Sequence, residues 1–116
     1  KPEIGAAFPG GDAMWRRYLE RTLNAQIPSD KKAPDGQYTV IVRYKVDKEG
    51  NISNITALTN HGYGMEQEVI RVVAKGPKWQ PAIQNGRTVA SIRKQPVTFV
   101  VSKDDEPEKK KKKNKD

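Results

Sequence analysis

The chain has no cysteine. Disulfides, thiolate metal sites and cysteine nucleophiles are therefore excluded, although the absence does not fix a compartment. There is one histidine, His61, in a glycine-flanked turn, so a zinc site lacks the further ligands it needs and His61 reads as a turn residue. Apolar runs are only a few residues long, far short of the roughly 20 that a membrane-spanning helix needs. No signal-peptide pattern opens the chain. It starts at Lys1-Pro2 with no initiator Met, and a targeting or anchoring segment is expected upstream.

Catalytic groupings are missing as well. Ser29, Ser53, Ser91 and Ser102 have no His or Lys at motif spacing. Glu66 and Glu68 are two apart, so on a helix they do not converge and read as first-turn acids favoured by the helix dipole. The run Asp47-Lys48-Glu49-Gly50-Asn51 is too short for a calcium loop. Gly10-Gly11 is not followed by Lys or Ser/Thr at phosphate-loop spacing. The expectation is no enzyme, no cofactor and no metal.

What the chain does have is positive charge and one strongly patterned stretch. The net charge is +8 over 116 residues, and the segment from Lys103 onward holds seven Lys against five acidic residues, which leaves +6 on residues 1–102. A basic folded body suits nucleic acid, an anionic membrane surface or an acidic peptide, and charge alone does not choose among them. The patterned stretch is 37–59. Tyr38, Val40, Val42, Tyr44 and Val46 recur at two-residue spacing while Thr39, Ile41, Arg43 and Lys45 take the other parity, the signature of a half-buried strand. Gly50-Asn51 follows, then Ile52, Ile55, Ala57 and Leu58, so a β-hairpin is expected. The second strand alternates less cleanly, which leaves its register open and allows a bulge.

The remaining segments arrange themselves around that hairpin. Residues 1–11, with Pro2, Gly5, Pro9, Gly10 and Gly11, are expected to form an arm without regular structure, pinned by Phe8. Asp12 is an N-cap for an amphipathic helix to about Asn24, with Trp15, Tyr18, Leu19 and Leu23 on one face. A polar connection over 25–36 leads into the hairpin. Met65, Val69, Val72 and Val73 form the apolar stripe of a second helix over 65–75, closed by Gly76-Pro77. Trp79, between two prolines, is read as buried between helix and sheet. Asn85-Gly86 marks a tight turn, and 88–101 reads as a long third strand. Pro96 inside that strand has no N–H to give a ladder, so the strand is expected at an edge or irregular there. Residues 103–116 read as a disordered lysine-rich tail. The fold class is α+β: a small two-layer sandwich in the order helix-strand-strand-helix-strand, with sheet order 2-1-3, both helices on one face and strand three as an open edge. The domain is expected over 12–102.

Several stretches, in order, carry a resemblance. They are Phe8-Pro9-Gly10-Gly11 before the helix with Trp15 and Tyr18-Leu19, Gln26-Ile27-Pro28, the strand and turn ending Val46-Asp47-Lys48-Glu49-Gly50-Asn51, Arg71-Val72-Val73, Pro77-Lys78-Trp79-Gln80-Pro81-Ala82, Gln84-Asn85-Gly86 and Gln95-Pro96-Val97-Thr98-Phe99. Over about residues 6–101 the chain resembles the C-terminal domain of TonB, the periplasmic energy transducer of Gram-negative bacteria, in its Bacteroidetes-like form. Ile27 stands where many members have Tyr.

The resemblance implies capture of the TonB box of a TonB-dependent outer-membrane receptor, as an added strand beside the last strand. Ile92, Arg93, Lys94, Gln95, Val97, Thr98, Phe99 and Val100 would form the partner-binding edge, with Arg93 and Lys94 near acidic residues of the peptide. Gln26, Ile27 and Pro28 would flank its end. It also implies a periplasmic location, with an upstream inner-membrane anchor reaching proton-driven motor proteins. An open edge further allows a homodimer by edge-strand pairing. The same domain occurs in membrane-anchored regulators such as sensor metallopeptidases, so a sensory or adaptor role is the alternative. Nucleic-acid binding ranks below both, because Tyr38 and Tyr44 lie on the parity expected to be buried and leave no exposed aromatic platform.

Overall fold

The computed structural model describes residues 3–102. The long alternating strand is β1 (Gly36–Val46), and its even parity goes inward: Val40, Val42, Tyr44 and Val46 are essentially inaccessible to solvent. β1 lies at the centre of a three-stranded antiparallel sheet, between β2 (Ile52–Ala57) and β5 (Ser91–Val101), in the order β2-β1-β5. That is the expected 2-1-3 order. The irregular second strand contains the bulge its pattern allowed. Arg43 pairs with Thr56 and Lys45 with Ser53, so Tyr44 alone faces Asn54 and Ile55, and Asn54 takes a φ of 52° to absorb the extra residue.

Two helices cover one face of this sheet. α1 (Asp12–Thr22) brings in Trp15 and Tyr18, and α3 (Met65–Lys75) brings in Met65, Val69, Val72 and Val73. The helices meet where the Tyr18 hydroxyl donates to Val72 O at 2.7 Å. Burial of the Tyr18 ring pushes its hydroxyl pKa up. Trp15, Tyr18, Phe8, Tyr44 and Trp79 make one aromatic cluster, with Trp15 and Trp79 crossing edge to face at 4.9 Å. Phe8 does pin the N-terminal arm, and the arm gains some regularity through isolated bridges from Ile4 to Ile83 and from Ala7 to Gln80.

The structure departs from the sequence reading in four places. Gly11, not Asp12, precedes the first helix, Asp12 is its first residue, and the helix ends at Thr22 because Leu23 is already extended. A four-residue helix, α2 (Ile27–Asp30), interrupts the connection that reads as irregular, with Pro28 in its first turn, where the missing N–H costs nothing. The third strand starts at Ser91 rather than Thr88. Residues 87–89 instead form β4 (Arg87–Val89), which turns back on β3 (Ala82–Gln84) across Asn85-Gly86. Both turn residues have positive φ, 52° and 79°, which matches the twist of a two-residue hairpin and makes the local pairing win over a longer strand. The tail at 103–116 lies outside the described residues.

The fourth difference concerns the surroundings of Glu66 and Glu68: both are first-turn acids of α3, as expected, but they are also buried, Glu66 to 7% exposure. Glu66 clasps the loop before its own helix: Oε2 accepts from His61 N–H at 2.8 Å and the Thr59 hydroxyl at 3.0 Å, and Oε1 accepts from Gly62 N–H at 3.1 Å. Glu68 accepts from Asn24 N–H at 2.8 Å and from Arg71, whose Nη2 also reaches Thr22 O, tying α3 to the end of α1. Burial alone would raise the Glu66 pKa, but the bonds from His61, Gly62 and Thr59 together bring it below the usual 4.5. Glu68 is lowered first by Arg71.

A folded-state pKa below the unfolded one means stability that is present above about 4.5 and lost as pH falls through the lower folded value. Thermal melts taken from neutral pH downward should therefore show a loss of Tm below the ordinary Glu range. Glu66→Gln should flatten that loss and cost about 1–3 kcal/mol at neutral pH, because its amide turns a donor towards donors. A pH profile identical to that of wild type would remove Glu66 from this role.

Candidate functional site

The site follows from which way the β5 backbone faces. Ile41 pairs with Pro96 across the β1–β5 ladder. The Ile41 carbonyl accepts from Leu58 N–H at 2.8 Å and its N–H donates to the Thr59 hydroxyl at 3.3 Å, so both Ile41 groups point towards the β2 side. The Ile41–Pro96 pair is thus one of the non-hydrogen-bonded pairs of an antiparallel ladder, and the Pro96 backbone points away from β1. Alternation along a regular ladder extends this to Ile92, Lys94, Thr98 and Val100. Their N–H and C=O groups face the outer edge, and among the described residues none makes a backbone hydrogen bond outside the sheet. Proline thus occupies a position where its missing donor leaves the fold intact.

Side chains divide by the same parity. Ile92 and Val100 are 56% and 52% exposed, and with Lys94, Pro96 and Thr98 they line the face of the sheet that no helix covers among the described residues. Thr98 and Thr39 share a hydroxyl hydrogen bond there at 2.9 Å. Lys94 lies directly opposite Arg43, a like-charge cross-strand pair that is unfavourable on its own, and neither forms an ion pair among the described residues. Lys45 adds a third cation to this face two residues along.

Ser91, Arg93, Gln95, Val97, Phe99 and Val101 point to the helix layer. Phe99 and Val101 enter the core. Arg93, expected beside an acidic peptide, is engaged inward: Nη1 donates to Ala6 O at 3.0 Å and the guanidinium lies 5.2 Å from the Trp79 ring centre. Among the described residues its Nε and the hydroxyl of Tyr44, the residue paired with it on β1, are buried and make no hydrogen bond of good geometry. Burial pushes the Tyr44 pKa up. Gln95 is held by Trp15, whose Nε1 donates to Oε1 at 2.7 Å. No sequence signal could have found that bond, since 80 residues separate its ends.

The other predicted contacts lie on α2. Gln26 precedes the helix and is exposed, Ile27 is half-buried, and Pro28 is fully buried beneath it. Ile27 lines a cleft of about 500 Å³ between α2 and α3, with Lys31, Tyr63, Gln67 and Arg71. α2 also packs near β5. Among the described residues no group of three or more His, Asp or Glu is placed to hold a metal ion.

The architecture is thus a small α+β sandwich, an antiparallel sheet of order β2-β1-β5 with helices on one face and, among the described residues, no strand paired to the outer edge of β5. The family model described as the Gram-negative bacterial TonB protein C-terminal matches residues 28–101, which span the whole of the three-stranded sheet and α3. The chain belongs to this family. It is a transport-associated, non-catalytic family whose members are periplasmic domains. A search of curated proteins gives no match.

Proposed function

We propose that this domain captures the TonB box of an outer-membrane receptor by strand addition along β5, and passes force to it from an inner-membrane, proton-driven complex reached through an upstream anchor. The observation that carries the reading is the β5 edge, unpaired among the described residues: four residues, Ile92, Lys94, Thr98 and Val100, offer both backbone groups outward. Net hydrogen bonds of roughly 0.5–1.5 kcal/mol each, less the entropy of ordering the peptide, give an affinity near micromolar at best. A contact of that strength forms and releases readily. Lys94 and Arg43, without an ion pair among the described residues and on the same face, favour acidic residues on the outward side of the added strand, while Arg93 serves the aromatic cluster. Ile92 and Val100 offer apolar contact beside them.

A chemical-shift titration with box peptides from receptors of the same organism, and a scrambled control, tests this. Shifts should concentrate over 92–100 and saturate only for the true box. Thr98→Pro removes one outward donor without touching the backbone ladder to β1, as Pro96 already does, and should weaken binding about two- to tenfold, with loss of the exposed Thr98–Thr39 hydroxyl bond costing stability only about 1 kcal/mol. Shifts centred on the α2–α3 cleft, or a Thr98→Pro chain that binds like wild type, would defeat edge capture.

A further inference from the structure

Pro96 lies at the midpoint of the β5 edge and removes one donor from it. Its carbonyl, which faces the same way, is already occupied: Gln95 folds its side chain along the edge and donates Nε2 to Pro96 O at 2.7 Å. The other end of that amide accepts from Trp15 Nε1 at 2.7 Å. Both ends of Gln95 are thus committed, one to the edge and one to the helix layer. Trp15 cannot yield easily, being 5% exposed and packed against Phe8, Tyr18 and Trp79. The middle of the edge therefore presents no free N–H, a carbonyl already in use and a side chain fastened from behind.

We infer that Trp15, Gln95 and Pro96 form a guard that keeps β5 from pairing with a second copy of this chain and confines any added strand to two short runs, one at Ile92 and Lys94 and the other at Thr98 and Val100. Bare edges invite self-pairing, and inserting proline is one way proteins blunt them. Two copies meeting about a twofold axis pair antiparallel, and the register with the fullest overlap is centred on residue 96. That register sets Pro96 against its own copy, so both central bonds are absent, and each Gln95 stands opposite Val97 of the copy and diagonal to the other Gln95. A foreign peptide is free of that symmetry. It meets one proline and one Gln95, and it needs only one backbone position that goes without a partner.

The first arm of the test needs no peptide. Sedimentation equilibrium of the full chain and of Gln95→Ala, Pro96→Ala, the double variant and Trp15→Phe should show the weakest self-association for wild type. The double variant should associate about tenfold or more tightly, with Trp15→Phe changing in the same direction. Circular dichroism confirms that each variant is folded. Equal self-association throughout, or a wild-type chain already paired through β5, overturns the guard.

The second arm rests on the capture reading and uses a box peptide with one amide at a time replaced by an ester. Edge-facing positions should be sensitive and alternate ones tolerant, except opposite Pro96, where the alternation breaks into three consecutive tolerant positions. Unbroken alternation leaves capture standing and overturns the confinement to two runs. No peptide binding at all, with self-association rising in the variants, removes the capture reading and leaves the guard against self-pairing in place.

Discussion

Gly50→Ala is expected to destabilise the fold by about 3–5 kcal/mol, although the residue lies in a hairpin turn. Gly50 has a φ of 91°, and a Cβ there would stand 2.1 Å from the Trp79 carbonyl oxygen. No side-chain rotation relieves a clash with backbone. The same contact includes a hydrogen bond, Trp79 N–H to Gly50 O at 2.9 Å, so any movement that clears the methyl group also stretches the link between the β1–β2 turn and the segment after α3. Gly86→Ala is the control: its φ is 79°, but open space surrounds the added Cβ. That variant carries the backbone strain alone, about 1 kcal/mol. Urea unfolding of both variants separates the two contributions, and equal losses would show that the approach to Trp79 adds nothing.

Trp79→Ala should cost a similar amount, about 3–5 kcal/mol. The ring lies 4.9 Å from Trp15, 5.6 Å from Tyr44 and 5.8 Å from Phe8, and Arg93 stacks on it. Its removal opens a cavity among aromatic groups that belong to the arm, α1 and β1, and it leaves the Arg93 guanidinium without its ring. Trp79→Phe keeps most of the apolar volume and should recover more than half of the loss. A Trp79→Ala chain within about 1 kcal/mol of wild type would mean that the cluster repacks freely, against the dense contacts around it.

The sheet was legible in the sequence because period-two alternation is a strong local signal. Tyr38 to Val46 on one parity announced β1, Pro96 announced an edge, and the Met65, Val69, Val72 and Val73 stripe announced α3. Residues 82–89 were harder to read. Asn85-Gly86 was visible as a turn, but Thr88 and Val89 also continue the pattern of the next strand, and only the pairing of Ala82 with Val89 decides between the two. Glu66 and Glu68 illustrate a different limit. A carboxylate in the first turn of a helix ordinarily suits the dipole and faces water. What buries these two is the loop at Thr59 and His61 folding back on Glu66, close in sequence but carrying no pattern that announces it, and the approach of Asn24, 44 residues from Glu68.

The candidate site divides in the same way. The outward parity of Ile92, Lys94, Thr98 and Val100 follows from sequence, since side-chain alternation and backbone alternation are the same fact about a strand. The inward engagement of Arg93 with Ala6, and of Gln95 with Trp15, depends on the arm and α1 arriving from far away in the chain. Charge on a strand reads as available until the layer beneath it is known.

β5 is matched to β1 over all 11 of its residues without a slip. Ladder bonds run perpendicular to the strands. A pull directed along β5 therefore loads every bond of that ladder in shear at once, whereas a sideways pull at Val101 peels them one pair at a time. The strand that offers the bare edge is thus anchored on its other side in the geometry that resists axial tension best, and the direction of a tug decides whether this domain holds or unzips.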